Sequence, residues 1–215
     1  MKAVRAFKLD RDRAEKRAIY FFDTKALMLF GKGLILRARQ VKDGDDDSTV
    51  KIRPIDPARI DASWKDESGF KLEADAVGAK VVRSASLSHK QKHGEIKDVV
   101  AGTRALPTLY SKAQERLLAS FAPAPVDFDG LKALGPVAAL RWKIDVPGIG
   151  SDITAEEWRL PDGQDLLELS IRADGDKAEA ERVKFMRILR EAGIDTNGTQ
   201  EAKTRAALRF FATHR

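Results

Sequence analysis

Short segments in which apolar and charged residues alternate recur along this sequence, and they constrain the fold more than any other feature. Residues 34–41 alternate apolar side chains with two arginines, Arg37 and Arg39. Side chains two residues apart on a β-strand point to the same face. The segment therefore predicts a strand with one apolar face and one cationic face.

Five further segments repeat this alternation. They cover residues 49–53, 70–77, 138–145, 152–160 and 165–173. One charged strand face is ordinarily exposed to water, with the apolar face on the core. Six such strands predict more, namely a sheet whose charged face is either open to solvent or rolled into the interior of a barrel.

Helical patterns separate the two groups of strands. They cover residues 2–17, 94–102, 106–122, 128–135, 177–193 and 200–214. The order of strands, helices, strands and helices predicts an α+β fold with mostly antiparallel strands. The 215 residues contain neither a linker nor a sequence repeat, which favours a single domain over residues 1–215.

The charge balance favours an anionic partner, because the net charge is +6 and the pI about 9.5. The sequence has no cysteine, which excludes disulfides, thiolate metal sites and a cysteine nucleophile. No apolar segment has the length of a signal peptide core or of a membrane-spanning helix. We therefore expect a cytoplasmic protein without a membrane partner.

The cation pairs have a specific chemical consequence. Lys51 and Arg53 on the second predicted strand repeat the spacing of Arg37 and Arg39 on the first. Two like charges about 6 Å apart repel by about 3 kcal/mol at an effective dielectric constant of about 20. Such a cluster needs acidic partners or a bound polyanion. Arginines suit phosphate oxygens, and carboxylates on other strands suit divalent cations that bridge phosphates. The pattern thus favours a site for a metal-bound polyphosphate.

Several motifs in the same order resemble those of the CYTH superfamily, the triphosphate tunnel metalloenzymes. They read "YFFDT" from residue 20, "GLILRARQV" from 33, "STVKIRP" from 48, "SGFKLEADAV" from 68, "RSASLS" from 83, "EEWRLPDGQDLLELS" from 156 and "QEAKTRAALRFFA" from 200. The resemblance implies an antiparallel β-barrel with a charged lumen and helices packed outside. It also implies triphosphate binding with Mg²⁺ or Mn²⁺.

The resemblance assigns roles to individual residues. The implied phosphate-contacting cations are Arg37, Arg39, Lys51 and Arg53, then Arg141 and Lys143 further along the lumen, and Lys203. For Lys203, a role on the surface of the C-terminal helix remains equally open. The implied metal-side acids are Glu157 and Glu168, with Glu73 and Asp75 as further candidates.

The sequence also departs from the family pattern. The family has an N-terminal Glu-x-Glu-x-Lys strand, and no such motif precedes residue 20. Residues 5–17 resemble the helix that normally follows that strand, and Ser170 stands where many members carry a carboxylate. Either the chain begins at an internal methionine or this member lacks the strand. A barrel with an open edge would favour a homodimer.

Four other features are interpreted without a functional role. Asp45, Asp46 and Asp47 are interpreted as a solvated hairpin tip, because the spacing of a calcium loop is absent. His89 and His93 are interpreted as exposed residues of a helix. The tryptophans are interpreted as packing residues, and the sequon at residues 197–199 as a loop without function.

Three functions remain open at this point. The first is metal-dependent hydrolysis of inorganic triphosphate, thiamine triphosphate or ATP. The second is a class IV-like adenylyl cyclase, and the third is a non-catalytic module that binds polyphosphate or a nucleotide. A nucleic-acid partner is disfavoured, because the cations lie beside carboxylates on a strand face and not in a groove lined by aromatic residues.

Overall fold

The structure, a computed structural model, describes residues 2–77, 80–196 and 202–214. The strands are β1 (Glu15–Asp23), β2 (Leu34–Val41), β3 (Asp46–Ile52), β4 (Phe70–Val77), β5 (Lys80–Gln91), β6 (Lys132–Ile144), β7 (Ile153–Arg159) and β8 (Asp165–Ser170). The α-helices are α1 (Lys2–Ala6), α2 (Met28–Gly31), α3 (Glu95–Val100), α4 (Lys112–Phe121), α5 (Ala178–Glu191) and α6 (Lys203–Thr213).

The strands form one sheet in the order β4-β5-β3-β2-β1-β6-β7-β8. The pairs β2–β3, β3–β5, β4–β5, β6–β7 and β7–β8 are all antiparallel. The predicted class, an α+β fold with an antiparallel sheet, is therefore confirmed. None of the helices in the described ranges is long and apolar enough to cross a membrane.

The chain divides into two compact units, each made of two separate segments. The β6–β8 unit comprises Met1–Arg17 and Val137–Lys203, and the β2–β5 unit comprises Ala18–Pro136 and Thr204–Arg215. Strands β1 and β6 each begin in one unit and end in the other.

The β2–β5 unit buries one apolar face of its strands under helices α3 and α4. Leu36 and Val50 lie opposite each other on β2 and β3, and both are almost fully buried. Leu117 of α4 is 0% exposed and belongs to the same cluster. Full burial of each such side chain stabilises the fold by about 1.5–3 kcal/mol. This packing leaves the charged positions of β2 and β3 on the other face.

The N-terminal segment covers the apolar face of the β6–β8 unit. Leu9 packs against Trp142 of β6 and Ala155 of β7, with Val4 and Phe7 beside them. The indole Nε1 of Trp142 also donates to the carbonyl oxygen of Asp10 at 2.7 Å. This contact fixes the segment on one face of the sheet and leaves the opposite face to charged residues.

The predicted helix over residues 2–17 is wrong in most of its length. Helix α1 ends at Ala6, and Glu15 already begins strand β1. Lys8 has a φ of 49°, which an α-helix does not tolerate, and the Asp10 carboxylate accepts from the backbone N–H of Asp12 in a short 3₁₀ turn. These local features stop the helix early.

The predicted helix over residues 128–135 is also wrong, because β6 begins at Lys132. The residue before a proline rarely adopts helical backbone angles, and Gly135 precedes Pro136. Gly135 also lies close to the backbone of β1. A Cβ at this position would be 2.7 Å from the carbonyl oxygen of Ile19. The glycine is therefore required by strand pairing.

The interpretations of the aspartate run and of the histidine pair need correction. Of the three aspartates read as a hairpin tip, only Asp45 is strongly exposed, whereas Asp46 is 3% exposed and accepts from the backbone N–H of Val41 at 2.8 Å. Asp47 lies in β3, and His89 lies in strand β5, not in a helix. The sequon at residues 197–199 lies outside the described residues.

Candidate functional site

Strands β2 and β3 carry the predicted cations of the β2–β5 unit on one face. Arg37 lies opposite Thr49 in the strand register, and Arg39 lies opposite Asp47. Lys51 follows Thr49 by two residues and therefore points to the same face. The alternation predicted from the sequence is confirmed here, since the intervening residues are buried in the core.

Arg53 lies directly after β3, where a close backbone contact holds it. Its N–H donates to the carbonyl oxygen of Gly33 at 2.8 Å. Gly33 has a φ of 76°, and a Cβ there would be 2.8 Å from the carbonyl oxygen of Arg53. Only glycine fits this approach, so Gly33 keeps Arg53 beside the start of β2.

Two aspartates are ion-paired with three of these cations. Asp47 accepts from Arg39 at 2.7 and 2.8 Å. Asp75 of β4 is shared, at 2.9 Å from Arg53 and 3.8 Å from Lys51. Together with Arg37, these residues form a surface that we name the cationic face. Its six residues are Arg37, Arg39, Asp47, Lys51, Arg53 and Asp75. Asp75, predicted on the metal side, thus contacts cations.

Burial lowers the pKa of the Lys51 ammonium, and Arg53 and Arg37 lower it further. Asp75 and Glu73 act in the opposite direction, but burial is the largest cause. Lys51 therefore holds its proton less firmly than an ordinary lysine. A bound anion would stabilise the charged form.

The Thr49 hydroxyl orients Arg37. Arg37 Nη2 donates to Thr49 Oγ1 at 3.2 Å, and the same oxygen lies 3.1 Å from Asp47 Oδ1. Thr49 Oγ1 is also 3.0 Å from the hydroxyl of Ser88 on β5. Hydrogen bonds between neighbouring strands therefore hold the guanidinium of Arg37 on the cationic face.

The β6–β8 unit carries a second charged cluster, which crosses its strands in one row. Arg141 of β6 lies opposite Glu156 of β7, and Glu156 lies opposite Glu168 of β8. Arg17 binds Glu156 at 3.1 Å and also binds Glu15, which lies 3.8 Å from Arg141. This face thus carries three carboxylates together with two arginines.

Lys203 occupies the position between two of these carboxylates. Its ammonium contacts Glu156, lies 2.9 Å from Glu168 and is 5.0 Å from the centre of the Trp158 ring. The Lys203 side chain is only 15% exposed. Lys203 is therefore ion-paired within this charged cluster and does not extend into solvent.

Glu157 lies on the other face of the same strand. It is 3% exposed and binds Arg11 at 2.6 Å. The structure therefore does not bring Glu157 and Glu168 together, and the acid beside Glu168 is Glu156. The sequence contained a signal for this pairing, because residue pairs counted outward from Asp162 at the centre of the hairpin turn join 156 with 168.

The remaining predicted cation, Lys143, lies opposite Thr154 and is exposed. With Arg141 it lines a cavity of about 500 Å³ in the β6–β8 unit. Acidic Asp10, Glu15 and Asp145 line the same cavity, so its wall is of mixed charge.

Neither unit contains a protein-only metal cage among the residues the structure describes, because no group of three or more histidine, aspartate and glutamate side chains is placed to hold an ion. Asp75 and the pair Glu156–Glu168 are ion-paired with cations. These carboxylates fit a metal that is mainly coordinated by ligand phosphates and takes one or two protein oxygens, as Mg²⁺ commonly does.

Comparisons with known proteins identify the fold. No family model and no curated protein matches the chain. A candidate adenylate cyclase from Bacillus halodurans matches 95% of this chain and 88% of its own, with a TM-score of 0.63 and 14% identity. HpAC1 from Hippeastrum, a candidate adenylyl cyclase with a dominant triphosphatase activity, matches 97% of this chain and 88% of its own. Its TM-score is 0.62 and its identity 16%. The chain therefore has the fold of these two proteins.

Proposed function

We propose that this protein binds a triphosphate compound on the cationic face and hydrolyses it with the help of a divalent metal ion. The observation that carries the proposal is the sharing of Asp75 by Lys51 and Arg53, next to Arg37 and Arg39 on the same face. Binding of a polyanion beside these cations would be electrostatically favourable, because it would reduce the repulsion among them.

The chemistry of the cations favours phosphate over other anions. Three of the four side chains are arginines, whose planar guanidinium groups bind two phosphate oxygens at once. Three cations of the face are only about one quarter exposed, namely Arg39, Lys51 and Arg53. Partial burial strengthens their attraction to an anion, because solvent screens it less. A chain of linked phosphates can contact several cations in succession.

Hydrolysis would rest on positioning and charge neutralisation. Phosphoryl transfer requires little covalent chemistry from a protein, so cations that hold the phosphate oxygens lower the barrier by stabilising the charge that develops there. In this protein Arg37 and Arg39 would hold phosphates in one orientation. Lys51 and Arg53 would exchange their contact with Asp75 for contacts with phosphate.

The metal would enter with its ligand. Mg²⁺ or Mn²⁺ bound to the phosphates would neutralise their charge. Within the β2–β5 unit, phosphate would replace Asp75 at Lys51 and Arg53, and the Asp75 carboxylate would then be available to hold such an ion. Glu73 lies two residues away on the same strand face.

An adenylyl cyclase is the second candidate function, favoured by the likeness to the Bacillus halodurans protein named for that activity. Both functions use a nucleoside triphosphate or a related compound, but they differ in product. Formation of cyclic AMP from ATP indicates the cyclase, and release of inorganic phosphate indicates the triphosphatase.

We expect the purified protein to release phosphate from inorganic triphosphate, thiamine triphosphate or ATP when Mg²⁺ or Mn²⁺ is present. Addition of EDTA should remove the activity, and excess metal should restore it. Phosphate release and cyclic AMP are measured in the same samples. Tight binding of all three compounds without either product would contradict hydrolysis and would identify a binding module.

A further inference from the structure

Strand β5 carries a row of hydroxyl groups on the same side of the sheet as the cationic face. Ser84, Ser86 and Ser88 alternate with buried apolar residues, and Ser86 lies opposite Lys51 in the strand register. Side chains two residues apart share a face, so Ser84 points to the same side as Ser86 and Lys51. On its other side, Ser84 lies opposite Glu73 of β4.

Ser84 differs from an ordinary buried serine. It is 1% exposed, and its hydroxyl has no hydrogen-bond partner among the residues that the structure describes. Buried polar groups are satisfied in the great majority of cases, because an unsatisfied one lowers stability. A serine kept in this state on a strand that pairs with Lys51 requires an explanation.

Ser48 shows what a satisfied serine looks like in the same sheet. It lies on the opposite, apolar face and is 0% exposed. Its hydroxyl donates to the carbonyl oxygen of Leu109 at 2.6 Å and accepts from Gln91 at 3.0 Å. The fold can therefore satisfy a buried hydroxyl fully, and at Ser84 it does not.

We propose that Ser84 is a ligand-binding residue whose hydroxyl donates to a phosphate oxygen of the triphosphate held by Lys51 and Arg53. This inference rests on the proposed function and deepens it. Lys51 and Arg53 supply only hydrogen-bond donors, so the ligand that suits them is an acceptor, and an uncharged hydroxyl adds one more donor without further repulsion.

The test compares Ser84→Ala with Ser48→Ala by titration calorimetry with inorganic triphosphate and by thermal unfolding. For Ser84→Ala we expect about tenfold weaker binding, because one hydrogen bond to a charged oxygen is lost. Its melting temperature should stay equal or rise, since no internal partner is removed. Ser48→Ala should melt about 4 °C or more below the wild type and bind triphosphate normally.

The possible results distinguish an error in the role of Ser84 from an error in the proposed function. Wild-type affinity in Ser84→Ala, while Arg39→Ala loses binding, would overturn the role of Ser84 and leave the proposed function intact. A fall in melting temperature like that of Ser48→Ala, without weaker binding, would likewise overturn it by indicating a structural role. Failure of the wild-type protein to bind inorganic triphosphate, thiamine triphosphate and ATP would overturn the proposed function itself. Ser84→Cys, which keeps a weak donor of similar size, should bind with intermediate affinity.

Discussion

Replacing Arg39 with alanine is expected to weaken the binding of inorganic triphosphate by about 100-fold. Two effects act in the same direction. The change removes a guanidinium that can bind two phosphate oxygens, and it leaves Asp47 without the cation that now lies 2.7 Å away. The uncompensated carboxylate then repels the incoming phosphate. Titration calorimetry at constant ionic strength measures the loss.

Two control variants separate this effect from a general loss of charge. Lys112→Ala removes the same unit of charge from an exposed position on α4, where the lysine binds Glu115, and should leave triphosphate affinity unchanged. Arg39→Lys keeps the charge but lacks the planar guanidinium group. Its triphosphate affinity should lie between that of Arg39→Ala and that of the wild type. Equal affinity of Arg39→Ala and wild type would exclude the cationic face as the binding site.

Replacing Gln114 with alanine is expected to lower the free energy of unfolding by about 3–5 kcal/mol. Gln114 is 0% exposed, and its amide donates to the carbonyl oxygens of Ser48 at 3.1 Å and Leu87 at 2.9 Å. Its side-chain oxygen accepts from the backbone N–H of Ser111, which completes the capping box of α4. The change would leave buried groups on two strands and one helix unsatisfied.

Urea unfolding followed by circular dichroism measures this loss of stability. Gln164→Ala is the matched control, because Gln164 is an exposed residue that follows the β7–β8 hairpin turn. It should unfold within about 0.5 kcal/mol of the wild type. An equally small effect of Gln114→Ala would mean that Gln114 does not join helix α4 to the sheet.

The sequence predicted the cationic face because its signal is local. A period of two residues assigns Arg37 and Arg39 to one side of β2, and Lys51 to one side of β3, without knowledge of what the strands pack against. The apolar residues between them, such as Leu36 and Val50, then had to form the core, and they do. The antiparallel α+β class followed from the order of strands and helices along the sequence.

The remaining parts of the site depend on contacts between distant segments. Glu156 and Glu157 are adjacent acids, and only the register of β7 against β8 shows that Glu156 joins Glu168. Asp46 lies in a run of aspartates typical of an exposed turn, yet the N–H of Val41 makes it a buried acceptor. The sequence likewise does not reveal that the Ser84 hydroxyl lacks a partner among the described residues, because serines are common on the polar face of a strand.

The structure of the protein crystallised with inorganic triphosphate tests the central claim most directly. The account predicts phosphate oxygens within about 3 Å of the side-chain nitrogens of Arg37, Arg39, Lys51 and Arg53. It also predicts that Asp75 no longer contacts Lys51 and Arg53. A triphosphate bound elsewhere, with the Asp75 contacts to both cations unchanged, would contradict the account.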